Sequence, residues 1–291
     1  MNYIIYAFIA AICFAIAQII SKLLSKHSID NKDSMMAYFM ISTFSFSIVL
    51  VPFVPLTIPT TEVLSLMTAA VLTFLIGYYA FFTGVFKSDA SSFAPLFQIQ
   101  AGLIGLFAFI FLGERFPIQN YLLMVIIVLG AILVSIDEKM TPKSFLNKGI
   151  LLIILMQVFH AISNLFVGFT LKQITPIQYL FWMNILIGIF SLLFIVIKKP
   201  KMNYKPVIVA PMFVSSYIVG VGIISLFTAY TQNLTISSVI GLLSAPIVFI
   251  VSIIASKFSP KFLEHHSTKI YVIRGIGLII ILLAAYKITV N

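Results

Sequence analysis

Charge is the scarcest feature of this sequence. Its 291 residues include 18 Lys and Arg and 8 Asp and Glu, so only 9% are charged, while 61% are hydrophobic and the mean hydropathy is +1.15. A soluble domain is about 25% charged and about 45–50% apolar, and a disordered chain needs low hydrophobicity. Both classes are excluded, and the basic residues are too scattered between apolar runs to form a nucleic-acid surface. The composition indicates a polytopic membrane protein.

Cysteine is almost absent as well. The single Cys13 lies within an apolar run, which excludes a disulfide framework and a zinc site built from Cys and His ligands. We therefore expect neither a metal nor a cofactor. The first twenty residues are mostly apolar, and the apolar run begins without a Lys or Arg before it. A cleaved signal peptide begins with a basic region, so this stretch predicts a retained first span.

Acidic residues are missing from the middle of every apolar run. All eight lie at the ends of runs or in loops, namely Asp30, Asp33, Glu62, Asp89, Glu114, Asp137, Glu138 and Glu264. The pattern argues against a buried carboxylate that exchanges protons for cationic drugs, and it leaves nothing anionic to neutralise a cationic substrate. An aromatic cage is still able to hold a quaternary ammonium group.

Long apolar runs are what the chain has in abundance. A helix needs about 20 mostly apolar residues to cross a bilayer, and helices satisfy their own backbone groups in lipid. Charges, prolines and glycines divide the chain into ten such runs, at 2–21, 34–54, 63–86, 90–112, 118–136, 149–171, 176–197, 206–231, 235–256 and 270–287. We therefore expect an all-α membrane protein with ten transmembrane helices and short loops.

A short pattern recurs at a spacing of about half the chain. FAIAQ (14–18) aligns with HAISN (160–164), 146 residues later. The sequence thus predicts two five-helix repeats, residues 1–145 and 146–291. Five spans per repeat place the repeats in opposite orientations, as in transporters whose site lies between the repeats near the midplane. The alternative is that the duplication only builds a stable bundle.

The most specific motif lies at the end of the fourth span. There the sequence reads FAFIFLGERFPIQNYLLMVIIVLGAIL (107–133), preceded by DASSFAPLFQ (89–98). This resembles the EamA-type transporters of the drug/metabolite transporter superfamily, whose repeats typically end the fourth helix in an LGE-R motif. The corresponding place in the second half reads Lys257-Phe258-Ser259, so the motif is sharp in the first half only. The resemblance implies a multi-pass transporter of the plasma or inner membrane.

Gly113 and Glu114 of this motif are interpreted as structural. A carboxylate at a membrane surface is suited to cap the free amides of the next helix, and contact with substrate is the alternative. Pro95 and Pro246 interrupt the fourth and ninth spans. Broken helices in matching parts of two repeats point to a transport site, whereas a bend needed only for packing is the simpler explanation.

Polar residues inside the spans mark the candidate substrate site. Gln157, His160 and Asn164 in the sixth span share one helix face, and Gln18 in the first span aligns with Asn164. Under inverted symmetry these two amides approach each other near the axis. The stripe predicts a water-filled cavity, and the alternative is a set of ordinary interhelical hydrogen bonds.

Five further residues complete the expected substrate site: Tyr78 and Tyr79 in the third span, Gln98 in the fourth, Trp182 in the seventh and Tyr230 in the eighth. Trp182 is interpreted either as a member of the interfacial aromatic belt or as a lid over the cavity. His160 is the only titratable side chain deep in a span. Burial favours its neutral form, so packing and proton coupling are the two roles considered.

These features predict a secondary transporter that moves a small polar neutral or zwitterionic metabolite, such as an amino acid, by alternating access. Its partners are then the small-molecule substrate and the lipid bilayer, with no nucleic acid, and it acts as a monomer or homodimer. The alternatives are a transporter of quaternary-ammonium or drug-like cations through an aromatic site, and a membrane scaffold or enzyme. An enzyme is not expected, because no acids, bases or metal ligands converge.

Basic residues lie mostly on alternate loops. The odd-numbered connections carry most of the lysines, including Lys139, Lys198 and Lys257. The positive-inside rule then predicts that both termini lie outside the cell. The family resemblance implies the opposite orientation.

Overall fold

Helices make up every regular element in the described part of the chain. The computed structural model describes residues 2–27, 29, 31–85, 99–113, 115, 117–134, 148–202, 205–241, 243–244, 247–248, 250–251 and 267–290. Within these residues the helices are α1 (Asn2–His27), α2 (Lys32–Leu50), α3 (Thr61–Val85), α4 (Ile99–Phe107), α5 (Ile118–Val134), α6 (Lys148–Thr170), α7 (Pro176–Lys198), α8 (Pro206–Tyr230), α9 (Leu234–Gly241) and α10 (Thr268–Val290). A short 3₁₀ turn, Val51–Phe53, follows α2, and no strand occurs among these residues.

Six of the described helices are long and apolar enough to cross a membrane. Their spanning segments are Tyr3–Ile20, Lys32–Phe53, Thr61–Gly84, Leu151–Thr170, Pro176–Lys198 and Val209–Tyr230. Two shorter apolar stretches, Gly102–Leu112 and Ile118–Gly130, lie in the fourth and fifth predicted spans. The predicted helical membrane fold is thus supported, and these six segments agree closely with the boundaries read from the sequence.

The fourth and ninth spans are described only in part. The fourth was expected to begin at residue 90, and its described helix is Ile99–Phe107. The ninth was expected over 235–256, and its continuous described helix is Leu234–Gly241. Residues 86–98 and residues 245–246 lie outside the described part of the chain, so the kinks expected at Pro95 and Pro246 stay predictions.

Local sequence signals explain several helix ends. The Asn31 side chain accepts a hydrogen bond from the Ser34 amide at 2.8 Å and so caps α2. Thr175 and Pro176 begin α7 in the favoured order of cap and first-turn proline. At the other end of α4, the chain widens into a π-helical turn, Ala108–Leu112, and stops at Gly113 with φ +72°. A left-handed residue of this kind suits glycine, which has no Cβ.

The helix packing follows a regular rule. Ten of the main helix pairs fall into five couples. These couples are α3–α6 and α1–α8; α4–α6 and α1–α9; α2–α8 and α3–α7; α2–α3 and α7–α8; and α4–α5 and α9–α10. Within each of these couples, one pair becomes the other when five is added to or subtracted from each helix number. The pair α8 with α9 is an exception, because its counterpart, α3 with α4, is not among the main pairs of the described residues. The pairs α5 with α10, α2 with α7 and α4 with α9 are unchanged by this exchange.

The pairing brings α3 and α6 into close backbone contact. A Cβ added to Gly77 would lie 2.9 Å from His160 Cδ2 and 3.3 Å from Phe159 Cβ. The corresponding approach joins α8 to α1, where a Cβ on Gly222 would lie 2.9 Å from Cys13 Cβ and 3.0 Å from a ring carbon of Phe14. Glycine therefore sets the distance between the helices at both contacts.

Large side chains on the outer helices face away from the protein. Ile118, Leu122, Leu129, Leu283 and Tyr286 on α5 and α10 are all more than half exposed. The largest buried cluster instead draws on α2, α3, α6, α7 and α8. Apolar residues on the outside and packed helices inside are the distribution expected of a protein whose solvent is lipid.

Candidate functional site

The polar stripe of α6 is buried in the protein interior. Gln157 is fully buried and His160 is 8% exposed, while Asn164 is partly buried. Asn164 Nδ2 donates to the His160 carbonyl at 3.0 Å, one turn earlier in the same helix. The sequence prediction that the three share a face is consistent with this order of burial and with that hydrogen bond.

Aromatic rings of α3 surround the imidazole of His160. The Phe74 ring stacks on it at 5.2 Å between centroids with an interplanar angle of 8°, and the Tyr78 ring lies at 5.0 Å. Gly77 lies between these two residues and lets α6 come close. The spacing of Phe74, Gly77 and Tyr78 therefore builds a slot that the imidazole fills.

Polar atoms in and around this slot lack partners. His160 Nε2 and Gln157 Oε1 are buried and accept or donate no hydrogen bond within the described part of the chain. Gln157 Nε2 contacts only Met156 Sδ, at 3.1 Å, and a thioether is a weak acceptor. A buried unsatisfied polar group costs about 1–3 kcal/mol, so these two atoms mark a place where a ligand or water is favoured.

Tyr78 is the centre of a wider aromatic cluster. Its ring centroid lies 4.3 Å from that of Phe39, 4.6 Å from that of Phe74 and 5.8 Å from that of Phe82. Phe39 comes from α2, so three helices contribute rings to a single group. The cluster brings Tyr78 and His160 together as the sequence analysis expected.

Tyr79 has a different environment, although it is the next residue. Lys32 Nζ lies 4.8 Å from its ring centroid and Lys198 Nζ lies 5.7 Å from the same point. Phe194 packs edge-on at 6.1 Å. Successive residues of a helix point in different directions, so Tyr79 belongs to a basic site beside the aromatic cluster.

Gln18 lies apart from the α6 stripe. Its Nε2 donates to Ser244 Oγ at 3.2 Å, and α1 packs mainly against α8 and α9. Gln18 and Asn164 donate to different partners, so the expected approach of their amides stays a prediction.

Tyr230 and Trp182 belong to the main core. The Tyr230 hydroxyl forms a 3.0 Å hydrogen bond with Ser238 Oγ, and its ring packs on Phe227 at 5.7 Å. Trp182 packs edge-on against Phe181 at 5.3 Å, and its Nε1 is buried without a partner in the described chain. Within the described residues, the partners of these two side chains do not include His160, so their roles at the substrate site stay predictions.

Sequence reasoning missed several buried polar groups. Asn184 in α7 is 1% exposed, and neither its Oδ1 nor its Nδ2 has a partner among the described residues. The Tyr179 hydroxyl and Ser237 Oγ are also buried without a hydrogen-bond partner among the described residues. The available signal for Asn184 was a single amide inside an apolar run, which is weaker than a stripe of three.

Of the residues interpreted as structural, the described part of the chain contains Gly113. Gly113 has the left-handed conformation given above, and the preceding Leu112 packs against α6, where a Cβ on Gly168 would lie 3.2 Å from Leu112 Cδ1. Glu114, Pro95, Gln98 and Pro246 lie outside the described residues. Their assigned roles therefore stay predictions.

Metal binding finds no support in the described ranges, which contain no group of three His, Cys, Asp or Glu side chains placed to hold an ion. Hydrogen bonding to a neutral group, aromatic contact and attraction of an anion are what the arrangement offers chemically.

Known proteins show similarity at two levels. Residues 1–136 match the model of the EamA-like transporter family. The fold is similar to a solved structure described as "Crystal structure of protein", with a TM-score of 0.68, 13% identity and coverage of 99% of this chain and 98% of that chain. At this identity the similarity concerns the fold alone. No curated protein matches the chain.

Proposed function

We propose that this chain, whose residues 1–136 match the model of the EamA-like transporter family, is a secondary transporter for a small polar neutral or zwitterionic metabolite. An amino-acid-like compound is the class that fits the lining best. The protein moves it across the plasma or inner membrane by alternating access, as a monomer or homodimer. Membership in a transporter family is consistent with a protein that is not an enzyme.

One observation carries the substrate class. His160 Nε2 and Gln157 Oε1 are buried without partners inside an otherwise apolar bundle. Such groups are costly in a membrane unless they meet a partner. A hydrogen-bonding group on a metabolite supplies one, whereas a quaternary ammonium group has no N–H to donate to Gln157 Oε1.

The packing supports a repeat architecture. Most of the main helix pairs are preserved when five is added to or subtracted from each helix number, which is the behaviour expected of two five-helix repeats, residues 1–145 and 146–291. The Gly77 contact with Phe159 and His160 corresponds to the Gly222 contact with Cys13 and Phe14. We infer ten spans in two inverted repeats, and alternating access follows from rocking one repeat against the other.

The two repeats differ at the place where the site is proposed. His160 in the second repeat stands where Phe14 stands in the first, each against a close-approach glycine. Only the α3–α6 contact therefore carries an imidazole. A transporter needs one polar site between its repeats, and this difference favours the contact between α3 and α6.

A second candidate substrate class is a quaternary-ammonium or drug-like cation. The rings of Phe39, Phe74, Tyr78 and Phe82 support it, because aromatic faces attract such cations. Their centroids lie 4.3–6.1 Å apart for the contacting pairs, so the rings already satisfy one another. The orphaned polar atoms therefore favour the neutral or zwitterionic class.

Flux into proteoliposomes tests the proposal. The purified chain is given a panel of radiolabelled amino acids, nucleosides and quaternary-ammonium compounds, and Gln157→Leu is compared with Gln173→Leu. Gln173 is exposed and reaches only Glu62, at 3.4 Å. We expect flux of a neutral or zwitterionic solute, reduced about tenfold or more by Gln157→Leu, which corresponds to about 1.4 kcal/mol of lost binding.

The flux experiment has one control variant and two results that would contradict the proposal. Gln173→Leu is expected to leave flux unchanged. Absence of flux for every solute of the panel would overturn the transport function. Flux restricted to the quaternary-ammonium compounds would overturn the neutral or zwitterionic class in favour of the aromatic site.

A further inference from the structure

Two ammonium groups converge on one aromatic ring at an end of the bundle. Lys32 Nζ and Lys198 Nζ lie 4.8 and 5.7 Å from the Tyr79 ring centroid. Lys32 is the first residue of α2 and Lys198 is the last residue of α7. Two like charges that are close to the same ring repel each other, and a neutral ring offsets that repulsion only in part.

The positive charge of this pair is not matched by an acid in the part of the chain that the structure describes. Neither lysine has an ion-pair partner in the described part of the chain. The nearest acid in sequence is Asp33, which follows Lys32, and adjacent residues of a helix do not face each other. Asp33 also lies in the first turn of α2, where the helix dipole stabilises its charge.

The surrounding structure holds the two lysines in place. Ser34 Oγ donates to the Lys201 carbonyl at 2.5 Å, which ties the connection after α7 to the first turn of α2. Lys199 closes α7 with φ 46°. The start of α2 and the end of α7 are thus joined directly, and the pair is a consequence of tertiary packing.

The basic pair lies next to the aromatic cluster. Tyr79 follows Tyr78, whose ring centroid is 5.0 Å from that of His160. A zwitterionic metabolite has a carboxylate at one end and a cationic or neutral part at the other. The lysines suit the carboxylate, and the aromatic rings and the polar atoms without partners suit the other end of the metabolite.

We propose that Lys32 and Lys198, held against Tyr79, bind the carboxylate of the transported metabolite. This inference rests on the proposed transport function and specifies its substrate class as carboxylate-bearing solutes. The phosphate of an anionic lipid headgroup shares the same chemistry, so the experiment separates the two sources.

Protection from lysine acylation tests the site without measuring transport. The full chain in phosphatidylcholine nanodiscs is treated with an amine-reactive ester, and the modification of each lysine is followed by mass spectrometry. Betaine and choline are the probes, at matched ionic strength. Both carry a trimethylammonium group and neither has a reactive amine, but only betaine has a carboxylate.

We expect betaine to slow acylation of Lys32 and Lys198 about threefold or more when its concentration is twice the dissociation constant, and choline to have no effect. Lys172 is the matched control, because its Nζ lies 5.7 Å from the Phe169 ring centroid and no second lysine among the described residues lies over that ring. Lys172 is expected to react at the same rate throughout. Lys32→Gln should abolish the protection of Lys198, whereas Lys32→Arg should retain it.

Three results would overturn the inference. Equal protection by choline would show that the carboxylate is not recognised. Protection by phosphatidylglycerol in the nanodisc, with no further effect of betaine, would assign the site to lipid. Absence of protection under all conditions would show that the pair binds neither. Because acylation is read without flux, each result is distinct from failure of the transport function.

Discussion

Position 160 shows how a single residue distinguishes two similar helix contacts. Phe14 and His160 each lie against a glycine of the partner helix, Gly222 and Gly77. An aromatic side chain fills the space in both cases. Only the histidine brings a polar atom, Nε2, into the interior without a partner, so its cost indicates a role other than packing.

His160→Phe separates packing from function at this position. We expect the variant to fold, because phenylalanine already occupies the corresponding place in α1. Loss of the imidazole removes a hydrogen bond to substrate, and bonds to neutral groups contribute about 0.5–1.5 kcal/mol. Flux in proteoliposomes should therefore fall about two- to tenfold or more, while the midpoint of thermal unfolding falls by no more than a few degrees.

Ser163→Ala serves as the control for His160→Phe. Ser163 Oγ donates to the Ala70 carbonyl at 2.9 Å across the same α3–α6 contact. Losing an interhelical hydrogen bond in a membrane costs about 0.6 kcal/mol on average, so stability should fall slightly and flux should persist. Full flux in His160→Phe would assign the imidazole to packing.

At the residue scale, the sequence identified the α6 stripe because helical spacing alone places Gln157, His160 and Asn164 on one face. It did not predict the partner of Gln18, since Ser244 is 226 positions away. It also missed Asn184, whose burial depends on how α7 packs. A short-range pattern is readable from spacing, whereas a contact between helices is not.

At the scale of elements, the α3–α6 pair depends on a missing side chain. Gly77→Ala places a methyl group 2.9 Å from His160 Cδ2, and over-packing of this kind typically costs about 1–3 kcal/mol. We expect a lower midpoint of thermal unfolding in detergent and reduced flux, because the imidazole must shift.

Gly102→Ala is the matched control for Gly77→Ala. Gly102 lies in α4, and a Cβ added there meets nothing within 4 Å. Since alanine favours helix over glycine by about 1 kcal/mol, stability should be unchanged or higher. Equal destabilisation by both substitutions would show that helix propensity, and not the close approach, controls the effect.

Element boundaries were predictable where apolar runs are long and their ends carry clear signals. The prediction of 176–197 for the seventh span differs by one residue from Pro176–Lys198, because Thr175 and Pro176 mark its start. The π-helical turn at Ala108–Leu112 had no signal in the sequence. Its wider backbone depends on packing against α6, where Leu112 contacts Gly168.

At the scale of the whole molecule, contacts between the halves are the candidates for movement. Ser42 Oγ in α2 and Ser216 Oγ in α8 lie 2.7 Å apart, and these helices belong to different proposed repeats. Cys13 is the only cysteine, so Cys13→Ala provides a cysteine-free background. In that background, Ser42→Cys with Ser216→Cys is close enough to form a disulfide.

We expect the oxidised double variant to lose flux, because a cross-link between the halves prevents one repeat from rocking against the other. Treatment with dithiothreitol should restore flux, and each single variant should transport normally under both conditions. Undiminished flux with the disulfide quantitatively formed, as measured by mass spectrometry, would show that the α2–α8 contact does not open during transport.

The sequence by itself determined that this is a multi-span helical membrane protein and that its first half resembles the EamA-like family. Low charge, long apolar runs and the LGER motif carry that information locally, and residues 1–136 match the model of that family. Only the tertiary structure decided which polar atoms lack partners and that Lys32 and Lys198 share Tyr79. Those facts depend on which helices pack together, and lipid-solvated apolar helices of similar composition do not specify their neighbours through local pattern.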